Sequence, residues 1–342
     1  MQQRELGATG LRVSAIGLGC AQLGSSNVDY ALRLIRRALE LGVTYFDVAR
    51  GYRDAEVKLG LGLQGRRDDV VLSTKTSAKT NEDAWREINE SLERLRTDHV
   101  DNVHLHGLRS GEDMDTRMGP GGALKALMQA KEQGMTGHIG CSSHFAHTIV
   151  EALGRADLEV ILVPMNIVER DPLDELVPLC RAKGVGVTIM KPVATGLLPA
   201  PMALKWLLNQ PIATAVPGAT SIEELEQNAA VGHEDLGLSP EEQTQVEALR
   251  AEWEHRRCRI CGACMPCPQE IDIRIILGTD VMYDHYRTMG ALGFRGFNWS
   301  RAALEQDLPR REATIAAIES CTRCGLCEDR CPHGLPVMDM LA

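Results

Sequence analysis

The chain of 342 residues carries a net charge of −10, and 44% of its residues are hydrophobic but only 4% aromatic. That composition suffices for one large domain with a small one, or for two of medium size. An acidic balance without a long basic run, together with few aromatic side chains, argues against a nucleic-acid partner. No stretch is long and apolar enough to suggest a membrane segment. The first residues, "MQQRELGATG", form no apolar signal segment, so we expect a cytoplasmic protein.

Residues 12–232 alternate between short apolar segments and amphipathic ones, such as "VDYALRLIRRALELG" and "NEDAWREINESLERLR". The amphipathic segments place their apolar residues at helical spacing. Eight short strands, each followed by a helix, predict an α/β fold, the parallel (β/α)₈ or TIM barrel. In that fold the chemistry takes place at the C-terminal ends of the strands. The predicted strands are 12–20, 43–49, 70–75, 100–106, 138–143, 160–166, 186–192 and 212–218.

Several of these strand ends carry groups suited to proton transfer. The second strand ends near Asp47, with Tyr52 in the loop that follows, the third ends at Lys75 and the fourth at His106. Reduction of a carbonyl by hydride puts negative charge on its oxygen, which must be stabilised and protonated. Free tyrosine, with a pKa of about 10, is a weak acid at neutral pH, but a neighbouring lysine favours its phenolate. A neutral histidine can donate a hydrogen bond to the same oxygen.

Other polar residues of the barrel have simpler interpretations. His104 lies two residues before His106 on the same strand, so both point into the barrel. A metal pair would lack a third ligand, and we expect His104 to be a hydrogen-bonded interior residue. The glycines of 60–65 match a dinucleotide fingerprint but follow a helical segment, so we expect a loop that ends a helix. Three further cysteines lie in apolar segments and are expected to be packed thiols: Cys20, Cys141 and Cys180.

The segments "FDVARGYRDAEVKLG", "LSTK", "DNVHLH", "GHIGCSSH", "KPVATGLL" and "VPGATSIEELEQN" resemble the aldo-keto reductase family in order and spacing. The resemblance covers residues 4 to about 232. It implies an oxidoreductase acting on a small carbonyl or alcohol, with Tyr52 as general acid in a catalytic tetrad completed by Asp47, Lys75 and His106. It also implies a nicotinamide cofactor held by Ser142, Ser143, Asn166, Lys191, Gly218, Ala219, Thr220 and Asn228.

The chain departs from the family pattern near the expected cofactor. Ser143 stands where many members carry asparagine, and Asn166 where many carry glutamine. Arg53 replaces the usual glycine after the tyrosine and adds a cation at the mouth. Members that use NADPH often clamp its 2′-phosphate with a lysine or arginine of the final loop, but no such residue occurs between Lys205 and Arg250. We therefore expect NADH to bind at least as well as NADPH.

Two arrays of four cysteines, each closed by Cys-Pro, lie in the last quarter of the chain. The second array, "CTRCGLCEDRCP", has the spacing of bacterial ferredoxins, and the first, "CRICGACMPCP", is one residue shorter. Structural zinc usually splits its ligands into two separated pairs, and disulfides need an oxidising compartment. Two 4Fe–4S clusters are therefore expected, with zinc as the alternative. The expected ligands are Cys258, Cys261, Cys264, Cys267, Cys321, Cys324, Cys327 and Cys331.

The tail resembles the ferredoxin-like domain that is fused to one subgroup of the aldo-keto reductases. In two-cluster ferredoxins the fourth cysteine of each run ligates the cluster of the other run. Carried over to this chain, Cys331 completes the ligands of the first array and Cys267 those of the second. The residues between the arrays are expected to form helices, and their centre, 282–299, either covers the barrel mouth or packs on the clusters alone.

The expected organisation is an aldo-keto reductase barrel over 1–232, a linker helix over 233–257 and a small, mainly helical ferredoxin-like domain over 258–342. The expected function is an oxidoreductase whose clusters relay single electrons, with a redox partner protein as a further possibility. The alternative is a redox-sensing or electron-transfer protein whose barrel is a binding module. A flavin could couple the two-electron and one-electron steps, but no flavin motif supports one.

Overall fold

The computed structural model describes residues 1–278, 309 and 312–342, so the expected covering segment 282–299 lies outside the described residues. The contacts within the chain group it into two compact units, Met1–Ser239 and Pro240–Ala342. Within the described part of the chain, no helix is both long and apolar enough to span a membrane.

The first unit begins with an antiparallel hairpin of β1 (Gln3–Glu5) and β2 (Arg12–Ser14). Leu6 and Val13 are fully buried and pack against Tyr45 and other residues at the N-terminal ends of barrel strands. The hairpin therefore closes the bottom of the barrel. The predicted first strand, 12–20, was wrong in this respect, because its first three residues pair with β1 and not with the barrel.

Eight parallel strands form the barrel sheet, as the sequence predicts. Isolated parallel bridges from Ile16 to Ala215 and from Gly19 to Gly218 join the first and last strands and close the sheet. Six of the eight strands start and end within two residues of the predicted ranges, while the first and the last are shorter than predicted. They are β3 (Leu18–Gly19), β4 (Tyr45–Asp47), β5 (Val71–Thr76), β6 (Val100–Leu105), β7 (Thr136–Ser142), β8 (Val160–Pro164), β9 (Gly186–Met190) and β10 (Thr214–Ala215).

Helices alternate with these strands. The first one shows why: its buried residues Ala31, Leu34, Ile35 and Ala38 follow helical spacing, and the Asn27 side chain accepts a hydrogen bond from Tyr30 N at its start. The helices of this unit are α1 (Val28–Glu40), α2 (Ala55–Gly62), α3 (Asn81–Leu95), α4 (Glu112–Met118), α5 (Ala123–Glu132), α6 (Ala146–Arg155), α7 (Leu176–Lys183), α8 (Ala200–Leu208) and α9 (Ile222–Val231).

The second unit contains α10 (Pro240–Trp253) and two short helices, α11 (Leu326–Asp329) and α12 (Val337–Met340). Proline occupies the first position of α10, where its missing N–H is not needed. Residues 273–278 are also helical. A small apolar core holds this unit together, and most of the array cysteines pack against it. The core consists of Ile271, Ile273, Ile276, Leu277, Leu335, Val337 and Leu341.

Candidate active site and cluster sites

A buried ion pair lies at the C-terminal end of the barrel. Lys75, on β5, is 1% exposed, and its Nζ lies 2.8 Å from Oδ2 of Asp47 and donates to Val48 O at 2.7 Å. Burial raises the pKa of Asp47, and Lys75 opposes that rise. Burial acts to lower the pKa of Lys75, but Asp47 and Tyr52 outweigh it and the pKa ends above its ordinary value. Lys75 therefore stays an ammonium group.

The Tyr52 ring packs against this ammonium. Its centroid lies 5.1 Å from Lys75 Nζ and 5.6 Å from the centroid of the His106 ring, which it meets edge-on at 85°. Burial raises the pKa of Tyr52, while the charge of Lys75 opposes that rise. The phenol therefore keeps its proton at neutral pH, and Lys75 is placed to stabilise the phenolate that proton donation would leave.

His106 follows β6 and is neutral. Burial, then Lys75 and Arg117, lowers its pKa to about 3. Its Nδ1 lies 3.3 Å from Ser77 Oγ. Arg117, on α4, donates to the carbonyl oxygens of His106 and Thr76 at 2.9 and 3.0 Å and so fixes the ends of two neighbouring strands. The sequence analysis missed Arg117, because nothing in its spacing shows that α4 folds back over these strand ends.

The four residues that the resemblance assigns to catalysis thus lie together at one mouth of the barrel. His104 lies in the interior, as expected, and is fully buried. The prediction that His104 is hydrogen-bonded was wrong, because neither of its ring nitrogens has a partner among the described residues. Its ring lies against β7: a Cβ on Gly140 would come within 2.9 Å of His104 Cδ2. The three thiols expected to be packed are buried: Cys20, Cys141 and Cys180.

The residues expected to hold the nicotinamide carboxamide differ in what they can still bind. Ser142 Oγ accepts from Gly107 N at 2.9 Å, so its hydroxyl hydrogen is the group that can reach a ligand. Ser143 Oγ donates to Leu108 O at 2.7 Å and accepts from Phe145 N at 3.2 Å. The hydroxyl of Ser143 is therefore used within its own loop.

Asn166 is fully buried, and its amide bonds to its own turn and to the backbone just after β9. Its Nδ2 donates to Glu169 Oε2 at 3.0 Å and to Lys191 O at 3.2 Å. Its Oδ1 accepts from the backbone N–H groups of Val168 and Glu169 at 2.9 and 3.0 Å. An amide can make about four hydrogen bonds, so Asn166 holds its own turn together and has little capacity left for a cofactor.

Lys191 lies at the mouth just after β9 in a left-handed conformation, with φ of 54°. Its Nζ lies 3.1 Å from Nδ1 of His144, which follows β7. Although the His144 side chain is exposed to solvent, desolvation by the surrounding protein, then the charge of Lys191, lowers its pKa to about 4, so the neutral ring accepts a hydrogen bond from the Lys191 ammonium. His144 was not among the predicted site residues, although it closes the motif "GHIGCSSH".

The loop after β10 is expected to hold the adenosine end of the cofactor. Glu224 Oε2 accepts from the backbone N and Oγ1 of Thr220 at 2.7 and 2.9 Å, so a carboxylate occupies the start of α9. A Cβ on Gly218 would come within 2.4 Å of the Gln22 amide, which lies directly over that glycine. The other two predicted residues of this loop and helix, Ala219 and Asn228, are 4% and 6% exposed.

The array cysteines of the second unit surround two concavities. Cys258, Cys261 and Cys264 line the first together with Cys331. The second is lined by Cys267 together with the first three cysteines of the other array, and Cys264 borders it too; those three are Cys321, Cys324 and Cys327. The fourth cysteine of each array therefore lies with the first three of the other, as ligation across the arrays requires.

The two arrays share a backbone conformation although their lengths differ. Ile260 and Arg323, each two residues after the first cysteine, have positive φ of 55° and 52°, and Gly262 and Gly325 follow with 79° and 82°. The N–H groups of Ile260 and Arg323 donate to the sulfur atoms of the first cysteines at 3.3 and 3.4 Å. Such N–H···S bonds and an apolar lining suit thiolates that hold an iron–sulfur cluster.

Comparison with known proteins agrees with this division. Residues 15–201 match the aldo/keto reductase family, which is more than half of the chain. The chain belongs to this family. Residues 257–336 match a 4Fe-4S dicluster domain, so this aldo/keto reductase carries an iron–sulfur domain C-terminal to its barrel in the sequence. Family membership makes the protein an oxidoreductase.

Individual relatives match more than half of the chain. L-galactose dehydrogenase from Arabidopsis thaliana is 31% identical over 303 residues, which cover 73% of this chain and 94% of the relative. The uncharacterized oxidoreductase YqkF from Bacillus subtilis is 30% identical over 58% of this chain and 67% of its own length. The holo form of aldo-keto reductase AKR11C1 from Bacillus halodurans superposes with a TM-score of 0.65 at 28% identity, covering 73% of this chain and 96% of the other.

Proposed function

We propose that the barrel transfers hydride between a nicotinamide cofactor and a small carbonyl or alcohol substrate, with Tyr52 as the general acid. The observation that carries the proposal is the buried ammonium of Lys75, held by Asp47 and packed against the Tyr52 ring. The similarity to L-galactose dehydrogenase, whose name describes oxidation of a sugar, supports this substrate class.

The roles of the four residues follow from their protonation states. A bound nicotinamide would supply the hydride. Tyr52 and neutral His106 would both donate hydrogen bonds to the carbonyl oxygen, and Tyr52 would give up its proton as negative charge develops there. Lys75 would stabilise the phenolate, while Asp47 keeps Lys75 charged and oriented. In alcohol oxidation the same proton would return to Tyr52.

Fewer residues would bind the cofactor than the resemblance implies. Among the three carboxamide candidates, Ser142 has a hydroxyl hydrogen to offer, while the side chains of Ser143 and Asn166 are already hydrogen-bonded to other groups of the protein. At the adenosine end, Glu224 occupies the start of α9, where a phosphate would otherwise be favoured. A 2′-phosphate would meet that carboxylate, and we therefore propose that NADH binds at least as well as NADPH.

The second unit would hold two 4Fe–4S clusters, one in each concavity lined by four or more cysteines. The soft thiolate donors and the N–H groups directed at sulfur support clusters over single hard cations. The clusters would relay single electrons to or from the barrel chemistry, and they could exchange them with a redox partner protein. In the alternative function, the barrel would bind a ligand without turnover and the clusters would sense or carry electrons.

Replacement of Tyr52 by phenylalanine separates these functions. Tyr52→Phe keeps the ring and removes only the hydroxyl, so it should retain cofactor binding and lose carbonyl reduction by about 100-fold or more. Binding would be followed by quenching of protein fluorescence on titration with NADH, and turnover by NADH absorbance under anaerobic conditions. Near-normal turnover in the variant would refute Tyr52 as the acid. Binding without any turnover in the wild-type protein, over a panel of aldehydes, ketones and sugars, would favour the alternative.

A further inference from the structure

Helix α2, which follows the Tyr52 loop, carries two buried charges of opposite sign. Glu56 is fully buried: its Oε1 accepts from Thr74 Oγ1 at 2.7 Å, and its Oε2 accepts from Arg94 Nε at 3.0 Å. Lys58 is 2% exposed. Buried charges are costly unless they are paired and hydrogen-bonded, and both of these are. Neither belongs to the four residues of the proposed mechanism.

Glu56 acts on the Tyr52 loop through Arg94, which lies in the last turn of α3. While Nε of Arg94 donates to Glu56, its Nη2 donates to the carbonyl oxygen of Arg53. Arg53 directly follows Tyr52 and has a left-handed backbone, with φ of 52°. A residue with a Cβ adopts that conformation only when its surroundings hold it there. The guanidinium of Arg94 stabilises this conformation by its hydrogen bond to the carbonyl oxygen of Arg53.

Lys58 holds the other side of the same loop. Its Nζ donates to Asp54 Oδ1 at 2.7 Å and to the carbonyl oxygens of Leu23 and Ser26 at 2.7 and 2.6 Å. These bonds join the Tyr52 loop to the loop that follows β3. The two loops touch closely, because a Cβ on Gly24 would come within 2.4 Å of Tyr52 O. The backbone around Tyr52 is thus held from two directions by side chains of α2 and α3.

We propose that Glu56, Lys58 and Arg94, the loop clamp, are positioning residues that hold Arg53 left-handed and thereby set the Tyr52 ring beside Lys75 and His106. This inference rests on the proposed function of Tyr52. Arg94 and Lys58 donate to groups of the two loops, Glu56 accepts from Arg94 and Thr74, and the clamp acts on the chemistry only through Tyr52. Small displacements of a proton donor are costly to the rate, because proton transfer requires hydrogen-bond distance to the reacting oxygen.

A glycine at position 53 distinguishes positioning from general stabilisation of the fold. Glycine adopts the left-handed conformation without the Cβ penalty. If the clamp serves to hold Arg53 in that conformation, Arg53→Gly should make the position of Tyr52 largely independent of Arg94. If Arg94 only supports the packing of α2 on α3, glycine at position 53 should restore nothing.

The position of Tyr52 can be observed without turnover by ¹⁹F NMR of the full chain labelled with 3-fluorotyrosine. The sequence has five tyrosines, so the spectrum has five signals, and Tyr52→Phe assigns one of them. The variants are Arg94→Met, which keeps the apolar stem, Arg53→Gly and the double variant. Glu93→Gln, a neighbouring exposed position on α3, is the control. Glu56→Gln, measured in the same way, replaces Arg94→Met if that variant does not fold.

Arg94→Met is expected to shift or broaden the Tyr52 signal and to lower kcat by about tenfold, with the KM of the cofactor changed by less than about twofold. The double variant with Arg53→Gly should regain both the signal and most of the rate, and Glu93→Gln should match the wild type. An unchanged Tyr52 signal in both Arg94→Met and Glu56→Gln would overturn the inference, as would failure of Arg53→Gly to restore it. Normal turnover of Tyr52→Phe would instead refute the proposed function, and the NMR result would still decide on the clamp.

Discussion

Replacement of the buried His104 should make the stability of the barrel less sensitive to acid. His104 is fully buried, and burial, then Lys75 and His106, lowers its pKa from the ordinary 6.5 to about 3. The unfolded chain regains the ordinary value, so below pH 6.5 it binds a proton that the folded chain does not. The contribution of neutral His104 to the free energy of unfolding is complete above pH 6.5 and is lost as the pH falls towards 3. Between pH 7 and pH 5 the loss is about 2 kcal/mol of the free energy of unfolding.

His104→Gln removes this titration and keeps a polar side chain of similar size. The assay is thermal unfolding of the full chain by circular dichroism under anaerobic conditions at pH 7 and pH 5. A loss of about 2 kcal/mol corresponds to a fall of about 4–8 °C in the midpoint for a domain of this size. From pH 7 to pH 5, the midpoint of His104→Gln should therefore fall by about 4–8 °C less than that of the wild type, whatever its midpoint at pH 7. His147→Gln, at an exposed position on α6, is the control and should keep the wild-type difference. An undiminished fall in His104→Gln would refute the reasoning.

Three further predictions concern the clusters, the cofactor and the pH profile. The anaerobically purified protein should contain about eight iron atoms and eight sulfides per chain, and EPR should show Cys331→Ser and Cys267→Ser impairing different clusters; four of each, or zinc without iron, would contradict this. Binding titrations should give NADH an affinity at least equal to that of NADPH, and a clear NADPH preference would direct attention to Arg33, which lies over the Tyr30 ring beside Thr220. Carbonyl reduction should stay level through neutral pH and fall only above the ordinary tyrosine pKa of about 10, because burial raises the pKa of Tyr52, whereas His106, with its pKa lowered to about 3, stays neutral; steady-state rates from pH 5 to 11 would show an acid limb near pH 6.5 if that were wrong.

The strand pattern was readable from the sequence because parallel strands buried on both faces appear as short apolar runs. The first strand shows where such reading fails. The predicted run 12–20 is divided in the structure, because Arg12–Ser14 pairs antiparallel with Gln3–Glu5, and the barrel pairings begin only at Ile16 and continue through Leu18–Gly19. Hydrophobicity gives the burial of a segment and not its hydrogen-bonding partner. The partner is decided by the hairpin that closes the barrel floor.

The candidate catalytic residues were readable because barrel chemistry lies at strand ends, which are fixed once the strands are placed. Arg117 and Arg94 were not, since each acts from a helix whose reach in space has no sequence signature, whereas His144 was overlooked although it lies in a motif used for the resemblance. Arg117 binds strand-end carbonyls from α4, and Arg94 binds the carbonyl of Arg53 from α3. Side chains that act on backbone groups leave no pattern in the residues they hold, because every residue has a carbonyl.

For the expected cofactor residues, the position in the sequence does not show whether the side chain still has a hydrogen-bonding group to offer a ligand. Asn166 follows β8, where the resemblance places a carboxamide contact, but its amide already makes three hydrogen bonds within its turn and a fourth to Lys191 O after β9. A glutamine, with one more methylene, would carry its amide beyond that turn and towards the mouth. The shorter side chain therefore exchanges a ligand contact for a hydrogen bond that ties the turn after β8 to the backbone of Lys191 after β9. If Lys191 helps to hold the cofactor, Asn166 acts on binding by fixing the backbone of Lys191, and the loss of one direct contact is the physical consequence of that arrangement.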